Sequence, residues 1–415
     1  MKKNHLGALL TAGAITGAAA FAMHHTNKKK NTHKMTPLLS NYPDHSDRQV
    51  YFVGGGLASL AGAAYLIRDC KFPGSNIHIF EGMNILGGSN DGAGNVTNGF
   101  VCRGGMLNEE TYENFWELFS SIPSLDMPGM SVTEEILNFD HLHPTHAQAR
   151  LIDKEGVIQD VTSMGFDTQD RLLLGKLMIT PEETLDDMTI EEWFAESPHF
   201  FTTNFWYMWQ TTFAFQKWSS LFEFKRYMER MIFEFSRIET LEGVTRTPYN
   251  QYDSVILPLR TYLEGYGVNF HTNATVTDLD FKEGHSITVT AIHLETSEGE
   301  EIITLQDQDL CIMTNGCMTD SATLGDMYTP APYNPTNPIS GDLWAKVAAK
   351  REGLGNPEPF FGHPDETNWE SFTVTCKGNK LLKMIEQFSG NIPGSGALMT
   401  FKDSNWLMSI VVAAQ

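Results

Sequence analysis

The chain has 415 residues, 41% of them hydrophobic and 19% charged, enough for two or three domains around a sizeable core. A formal net charge of −22 argues against nucleic acid as a partner, because a polyanion is repelled. Cys70, Cys102, Cys311, Cys317 and Cys376 are odd in number and lack metal or redox spacing, so reduced thiols are expected rather than a disulfide frame.

Residues 1–35 contain six Lys and no Asp or Glu, so the remainder carries −28. Lys2 and Lys3 precede an uncharged, Ala- and Gly-rich stretch from Leu6 to Met23. As a helix, that stretch would reach about 27 Å, just enough to cross a bilayer. Ala20-Phe21-Ala22 also suits a signal-peptide cleavage site. The expectation is an uncleaved anchor on a cytoplasmic protein, with Lys28, Lys29 and Lys30 at an anionic membrane surface.

From Gln49 to Gly88 runs QVYFVGGGLASLAGAAYLIRDCKFPGSNIHIFEGMNILGG. The apolar run Val50–Val53 predicts a strand, the Ala/Leu segment to Asp69 a helix, and Ile77–Phe80 a second strand ending on Glu81. Gly54 permits the tight turn, and Gly56 lets the backbone approach a pyrophosphate seated on the helix N-terminus. Ser59 stands where a small residue is needed for close packing, and Glu81 where a carboxylate can accept from a ribose hydroxyl. Gly87-Gly88, separated from Glu81 by five residues, repeats a feature of flavin proteins and favours FAD over nicotinamide.

Residues 89–105 read as a glycine- and asparagine-rich loop over the cofactor, leading to Arg103-Gly104-Gly105. Asn108 is the expected N-cap of a helix to Phe119, with Glu109 and Glu110 in its first turn and Tyr112, Phe115, Trp116 and Phe119 on one face. A helical region follows to about Arg246. Its stripe Phe224, Tyr227, Met228, Met231, Ile232 and Phe235 predicts core, and Phe205–Phe215 the wall of an apolar tunnel. His141, His143 and His146 lack a carboxylate or thiol frame and read as a polar loop, not a metal site.

Tyr249–Gly267 predicts a helix ending near Gly265, followed by a strand at Val268–His271. Segments near Val276, Ile287–Leu294 and Ile302–Leu305 alternate as a meander, and Asp309–Met313 reads as a buried strand running into Thr314-Asn315-Gly316. Such a late strand and small-residue turn suit a flavin fold returning to its first domain. The apolar run WLMSIVVAA predicts a buried strand close to residue 415, where a natural domain rarely stops.

At this point the chain resembles the oleate hydratases, fatty acid double-bond hydratases once called myosin-cross-reactive antigens. The resemblance rests on GGGLASLAGAAYLIRD, RGG at 103–105, FWELFSSIPSL, NFWYMWQTTFAFQKW, YNQYDSVILPL, MTNGCMTD and TFKDSNWLMSIVV. It implies a flavoprotein that adds water across a cis double bond of a long-chain unsaturated fatty acid such as oleate or linoleate. FAD there organises the site without net redox change. The implied fold is mixed α/β: a Rossmann-like FAD-binding domain, an inserted helical, aromatic-rich lid and a β-rich substrate-binding region. The expected division is a leader at 1–35, FAD-binding segments at 36–110 and 247–330, the lid at 111–246 and the substrate region at 331–415.

Hydrating an unactivated alkene needs a proton donor at one carbon and a placed water at the other, inside a water-poor tunnel. The resemblance points to Tyr207 as proton donor, within one residue of register, and to Gln251 beside fatty acid and flavin. The family's Arg-Gly-Gly-Arg-Glu-Met is altered here: Met106, Leu107 and Asn108 follow Gly105, and Leu107 cannot activate water. Glu109 or Glu110 is then the candidate acid, unless positioning alone suffices. Family members extend well past this C-terminus, so the expectation is a truncated and nearly inactive hydratase. A flavin oxidoreductase of amine-oxidase-like fold and a non-catalytic membrane-associated antigen remnant are the alternatives. A homodimer is compatible with either.

Overall fold

The computed structural model describes residues 45–415 except 91, 96, 98, 103–107, 110, 317–319, 335–337, 375, 395–397 and 412–415. The leader, Arg103-Gly104-Gly105 and Glu110 lie outside the described residues.

Strand β1 (Val50–Val53), helix α1 (Leu57–Cys70) and strand β2 (Ile77–Glu81) form the unit predicted from the sequence, with β1 and β2 parallel. Alternation along β1 divides its side chains between two faces. Val50 and Phe52, with Ile77 and Ile79 of β2, pack on Leu60, Ala63 and Ala64 of α1. Tyr51, Val53 and Phe80 enter the core on the opposite face. Each large apolar side chain buried in this way contributes about 1.5–3 kcal/mol.

The stretch expected as a loop after Gly88 forms an antiparallel hairpin, β3 (Gly92–Asn95) with β4 (Gly99–Cys102). Its strands are too glycine-rich to show an apolar period. Asn108 does not cap a helix either. Strand β5 (Asn108–Glu109) pairs with β7 (Val244–Thr245), and helix α2 (Glu113–Phe119) starts only after Tyr112. Thr245, 137 residues beyond Asn108 in sequence, is the partner that overrides the local capping signal, and Glu109 leaves the helix's first turn for a strand.

The inserted layer is helical as expected. Helix α3 (Val132–Leu142) has a capping box from Ser131 and Glu134, and α4 (Thr168–Ile179) has one from Asp167 and Asp170. Between them lies the short strand β6 (Leu151–Ile152). Helix α5 (Asn204–Phe213) is capped by Thr203 and α6 (Leu221–Arg230) by Ser220. Phe224 and Met228 of the predicted stripe are buried, but α6 stops at Arg230. Met231 and Phe235 reach the core from the turns beyond it.

Phe205, Trp206, Trp209 and Phe215, expected in a tunnel wall, are instead fully packed core. Phe205, Trp206 and Trp209 are buried in a cluster with Phe200, Phe224 and Phe235. Phe205 stacks on Trp209 at 5.1 Å, and Phe194 on Phe200 at 3.7 Å. With aromatic faces and edges satisfied by one another, the segment forms a packed core. Trp209 is buried although its indole Nε1 has no partner, so burial here does not follow the polar-handle rule. Among the three histidines, His141 and His143 are exposed at the end of α3, and His146 pairs with Glu242 at 2.7 Å.

After β7 the chain makes one π-helical turn, Tyr252–Ile256, which continues into α7 (Leu257–Gly265). Strand β8 (Asn269–Thr272) joins β2 in parallel. The meander β9 (Thr275–Phe281), β10 (Val289–Thr296) and β11 (Gly299–Thr304) follows as predicted. Strand β12 (Leu310–Met313) returns beside β1, so the sheet runs β12-β1-β2-β8 and is parallel throughout. Helices α1 and α7 cover one face; the meander and α8 (Ile339–Lys350) cover the other. This is the Rossmann-like layering expected of a dinucleotide-binding domain.

Two strands predicted as buried are not. β12 is the sheet's edge, with Leu310 42% and Ile312 36% exposed. The apolar run near the C-terminus forms β14 (Met408–Val411), the outer strand of a sheet ordered β14-β13-β6, with β13 spanning Leu398–Phe401. Trp406 is 81% exposed. Apolar composition marks a strand but cannot say whether a second layer covers it. Helix α9 (Lys380–Ser389) precedes that sheet. No helix among the described residues is long and apolar enough to cross a membrane.

Candidate cofactor and substrate site

Two glycine turns meet at the C-terminal ends of β1 and β2. Gly87 donates its N–H to the Gly55 carbonyl at 2.9 Å, and Gly56 bridges to Gly87. The three consecutive glycines serve different needs. Gly54 has φ +97°, and an added Cβ would lie 3.0 Å from Asn315 Cα. At Gly55 a Cβ would come within 2.7 Å of Leu86 and 2.9 Å of Glu81. At Gly56 it would meet only Gly88 Cα, at 4.0 Å. Packing therefore requires the first two glycines, whereas Gly56 faces open space that a Cβ would fill.

Gly56 is also the N-cap of α1, with no side-chain cap and no acid in the first turn. The first N–H groups of a 14-residue helix are thus left for an external acceptor, with the dipole favouring an anion. Glu81 closes the other side. Its Oε2 accepts from Gly55 N–H and its Oε1 from Met83 N–H, each at 2.9 Å. Burial raises its pKa above the ordinary carboxylate value, and the two amides oppose that shift. Each carboxylate oxygen keeps a further lone pair for a ribose hydroxyl.

The late turn completes the cradle. Ser59, fully buried on α1, lies 2.5 Å from the Thr314 hydroxyl at the tip of β12. Thr314 N–H donates to the Val53 carbonyl, and Asn315 backs Gly54. Asn315 Oδ1 is buried without a partner, a polar atom that a bound polar group would satisfy. Gly316, with φ +106°, turns the chain toward Ser340 and Phe361. Gly54, Gly56, Ser59, Glu81, Gly87, Gly88, Thr314, Asn315 and Gly316 thus assemble at one end of one sheet. The open Gly56 face, the uncapped helix and the Glu81 acceptor fit the pyrophosphate and ribose of a dinucleotide.

The candidate chemical residues are arranged around this frame without joining it directly. Gln251, 7% exposed, opens the π turn, and Ile256 of that turn lies against Gly87. Asn250 packs on Gly92 of the hairpin, so the two ends of the 250–256 segment border the hairpin and Gly87. Tyr207 sits in the other core, at the margin of the aromatic cluster, with Lys402 Nζ 5.7 Å from its ring centre. Val244 belongs to the same cluster and pairs with Glu109. Tyr207 and the Glu109 backbone therefore border one apolar layer. The sequence reading missed Gly55, Leu86 and Asn250. Three glycines in succession were the available signal for Gly55; the other two depend on tertiary contacts.

A third carboxylate group needs no ligand. Asp167, Asp170 and His199 come together, but Asp170 accepts from Ser197 and from the Asp167 amide of its capping box, and its Oδ2 lies 2.7 Å from His199 Nδ1. It is a helix cap.

With the glycine frame in place, the sequence pattern of the MCRA family matches residues 47–415. The chain belongs to the MCRA family. It is 42% identical over 399 residues to the linoleate hydratase of Lactiplantibacillus plantarum, covering 88% of this chain and 69% of that protein. It is 37% identical over 380 residues to the oleate hydratase of Streptococcus pyogenes serotype M49 (strain NZ131), covering 89% of this chain and 63% of that protein. This MCRA chain thus spans about two thirds of the length of those relatives. Among solved structures, an oxidoreductase from Methanosarcina mazei gives a TM-score of 0.40 at 14% identity, covering 64% of this chain and 58% of that one. A likeness that weak adds nothing on function.

Proposed function

We propose that the chain binds FAD in the glycine cradle and hydrates a cis double bond of a long-chain unsaturated fatty acid. The observation that carries this reading is the 42% identity to a linoleate hydratase along 88% of the chain. Bound FAD would supply a rigid, charged surface against which the fatty acid chain is ordered. Gly56 and the α1 amides would hold its pyrophosphate, and Glu81 its ribose. The Gln251 turn would orient the isoalloxazine end and the adjoining acyl chain.

In this reading the chain's own residues handle water and proton. The Tyr207 hydroxyl donates a proton to one alkene carbon. A water near the Glu109–Glu110 segment attacks the other and loses its proton there. General acid–base help of this kind is worth about 10²–10⁴-fold, with the remaining acceleration coming from positioning. Leu107 leaves the segment without its family carboxylate, so the margin depends on how firmly Glu109 or Glu110 is held.

The test is an anaerobic incubation of the flavin-loaded protein with oleate or linoleate, read by mass spectrometry. A product heavier by one water supports hydration. A desaturated or oxidised product, or strict dependence on an electron acceptor, would move the assignment to a flavin oxidoreductase.

A further inference from the structure

The two-residue strand β7 is the only strand partner of Asn108–Glu109 among the described residues, and it is fastened from the far side by the end of α3. Asp140, in the last turn of α3, accepts the N–H of Arg246 at 2.9 Å, the residue directly after β7. Thr145 donates to the Val244 carbonyl at 2.8 Å. The Arg246 guanidinium donates to the Thr145 hydroxyl and the His143 carbonyl. An acid in the last turn of a helix opposes the macrodipole, so α3 itself gains nothing from Asp140. The second oxygen, Oδ2, is buried without a partner, and so is the Thr245 hydroxyl of β7.

We propose that Asp140 is a positioning residue for the Asn108–Glu109 segment: its carboxyl, anchored on the Arg246 amide, clamps β7, and the strength of that clamp follows the carboxyl's protonation. The assignment of Glu109 to water rests on the function proposed above; the clamp itself does not. A neutral carboxyl is the form that burial favours, and its pKa is accordingly pushed up to about 6 despite Arg246. Opening β7 would return Asp140 to water, where it ionises freely at neutral pH. Local opening therefore becomes easier as pH rises from about 4 to about 6 and levels off above that. Arg246 is the charged group facing the carboxyl. His141 and His143 share its helix end, and the His146–Glu242 pair lies on the flanking loops.

The test is amide hydrogen exchange of the whole protein between pH 4.5 and pH 7.5, corrected for intrinsic rates, on peptides covering 106–112 and 243–248. Protection of both should fall at least fivefold from pH 5 to pH 7, while peptides of the β9–β10 meander hold level. Asp140→Asn keeps an acceptor for Arg246 N–H and should abolish the step, holding protection near its low-pH level. His143→Gln and His146→Gln should leave the step in place. A flat wild-type profile, a step of equal size throughout the molecule, or a step that survives in D140N overturns the proposal. If D140N does not fold, the wild-type series and the histidine variants decide. Failure to hydrate oleate with the exchange step intact would count against the proposed function alone.

Discussion

Replacing each glycine of the Gly54-Gly55-Gly56 turn separates ligand binding from folding. Gly56→Val puts a Cβ where the nearest protein atom is 4.0 Å away, at φ −76°, which any residue adopts. The apoprotein should lose less than about 1 kcal/mol, because a glycine N-cap without a side-chain bond has little to give up. Gly54→Ala instead forces φ +97° on an L-residue and a 3.0 Å contact with backbone, at about 1–3 kcal/mol. Gly55→Ala drives a methyl to 2.7 Å from Leu86, an overpacking cost of about 1–3 kcal/mol. For flavin the order reverses. The valine side chain would cover the α1 amides meant for the pyrophosphate, and losing two such charge-assisted bonds at about 1.5–3 kcal/mol each means at least 100-fold weaker binding. Thermal melts of apoprotein and flavin absorbance after desalting read both quantities. A Gly56→Val protein that keeps its flavin, or that melts as low as Gly54→Ala, would refute this division of roles.

Asp140→Asn should also flatten the pH dependence of global stability. A folded pKa of about 6 exceeds the ordinary value of about 3.9, so the group's contribution is greatest below pH 4 and is lost as pH rises through 6. Because the side chain is only partly buried, we expect D140N to gain no more than about 1–2 kcal/mol at pH 7 in urea titrations. Ser59→Ala should cost about 1 kcal/mol by leaving the Thr314 hydroxyl with a poorer partner, and Thr314→Val in the same background should add little. Trp209→Ala should cost about 3–5 kcal/mol, whereas a tunnel-wall residue would be removed more cheaply. Burial pushes the Cys311 thiol up to about 12, so Cys70 and Cys376, both exposed, should react with a thiol reagent in the native state while Cys311 waits for unfolding.

The first β-α-β unit was legible because its signals are local. An apolar run, a glycine turn and a second run ending on an acid each occupy a few adjacent residues, and β1, α1 and β2 lie within two residues of the predicted bounds. The meander was legible by alternation. The errors share one cause. Asn108 carries a sound capping signal, yet its backbone bonds to β7, and no local pattern reports a partner that far along the chain. The aromatic run was read through the polar needs of tryptophan, while the structure meets most of its demand with other rings. At β12 and β14 composition announced a strand correctly, but cover depends on the rest of the fold.

On the proposed reading, these contacts also put weight on positioning in the site. The cofactor frame is rigid: Gly54, Gly55, Glu81, Ser59 and Thr314 are tied to one another within a parallel sheet. The aromatic layer is rigid for a different reason, its rings filling one another's gaps. Among the described residues, the π turn lies against Gly87 and the two-residue β5–β7 pair borders the aromatic layer through Val244. A π turn costs hydrogen-bond geometry and tends to occur where a side chain must be aimed. A two-residue strand pair has too few bonds to hold itself and depends on what is clamped to it. If Glu109 takes the water's proton as proposed, that water is placed only as well as β7 is, and the contacts of Asp140, Thr145 and Arg246, rather than the two cores, set the tolerance of the step.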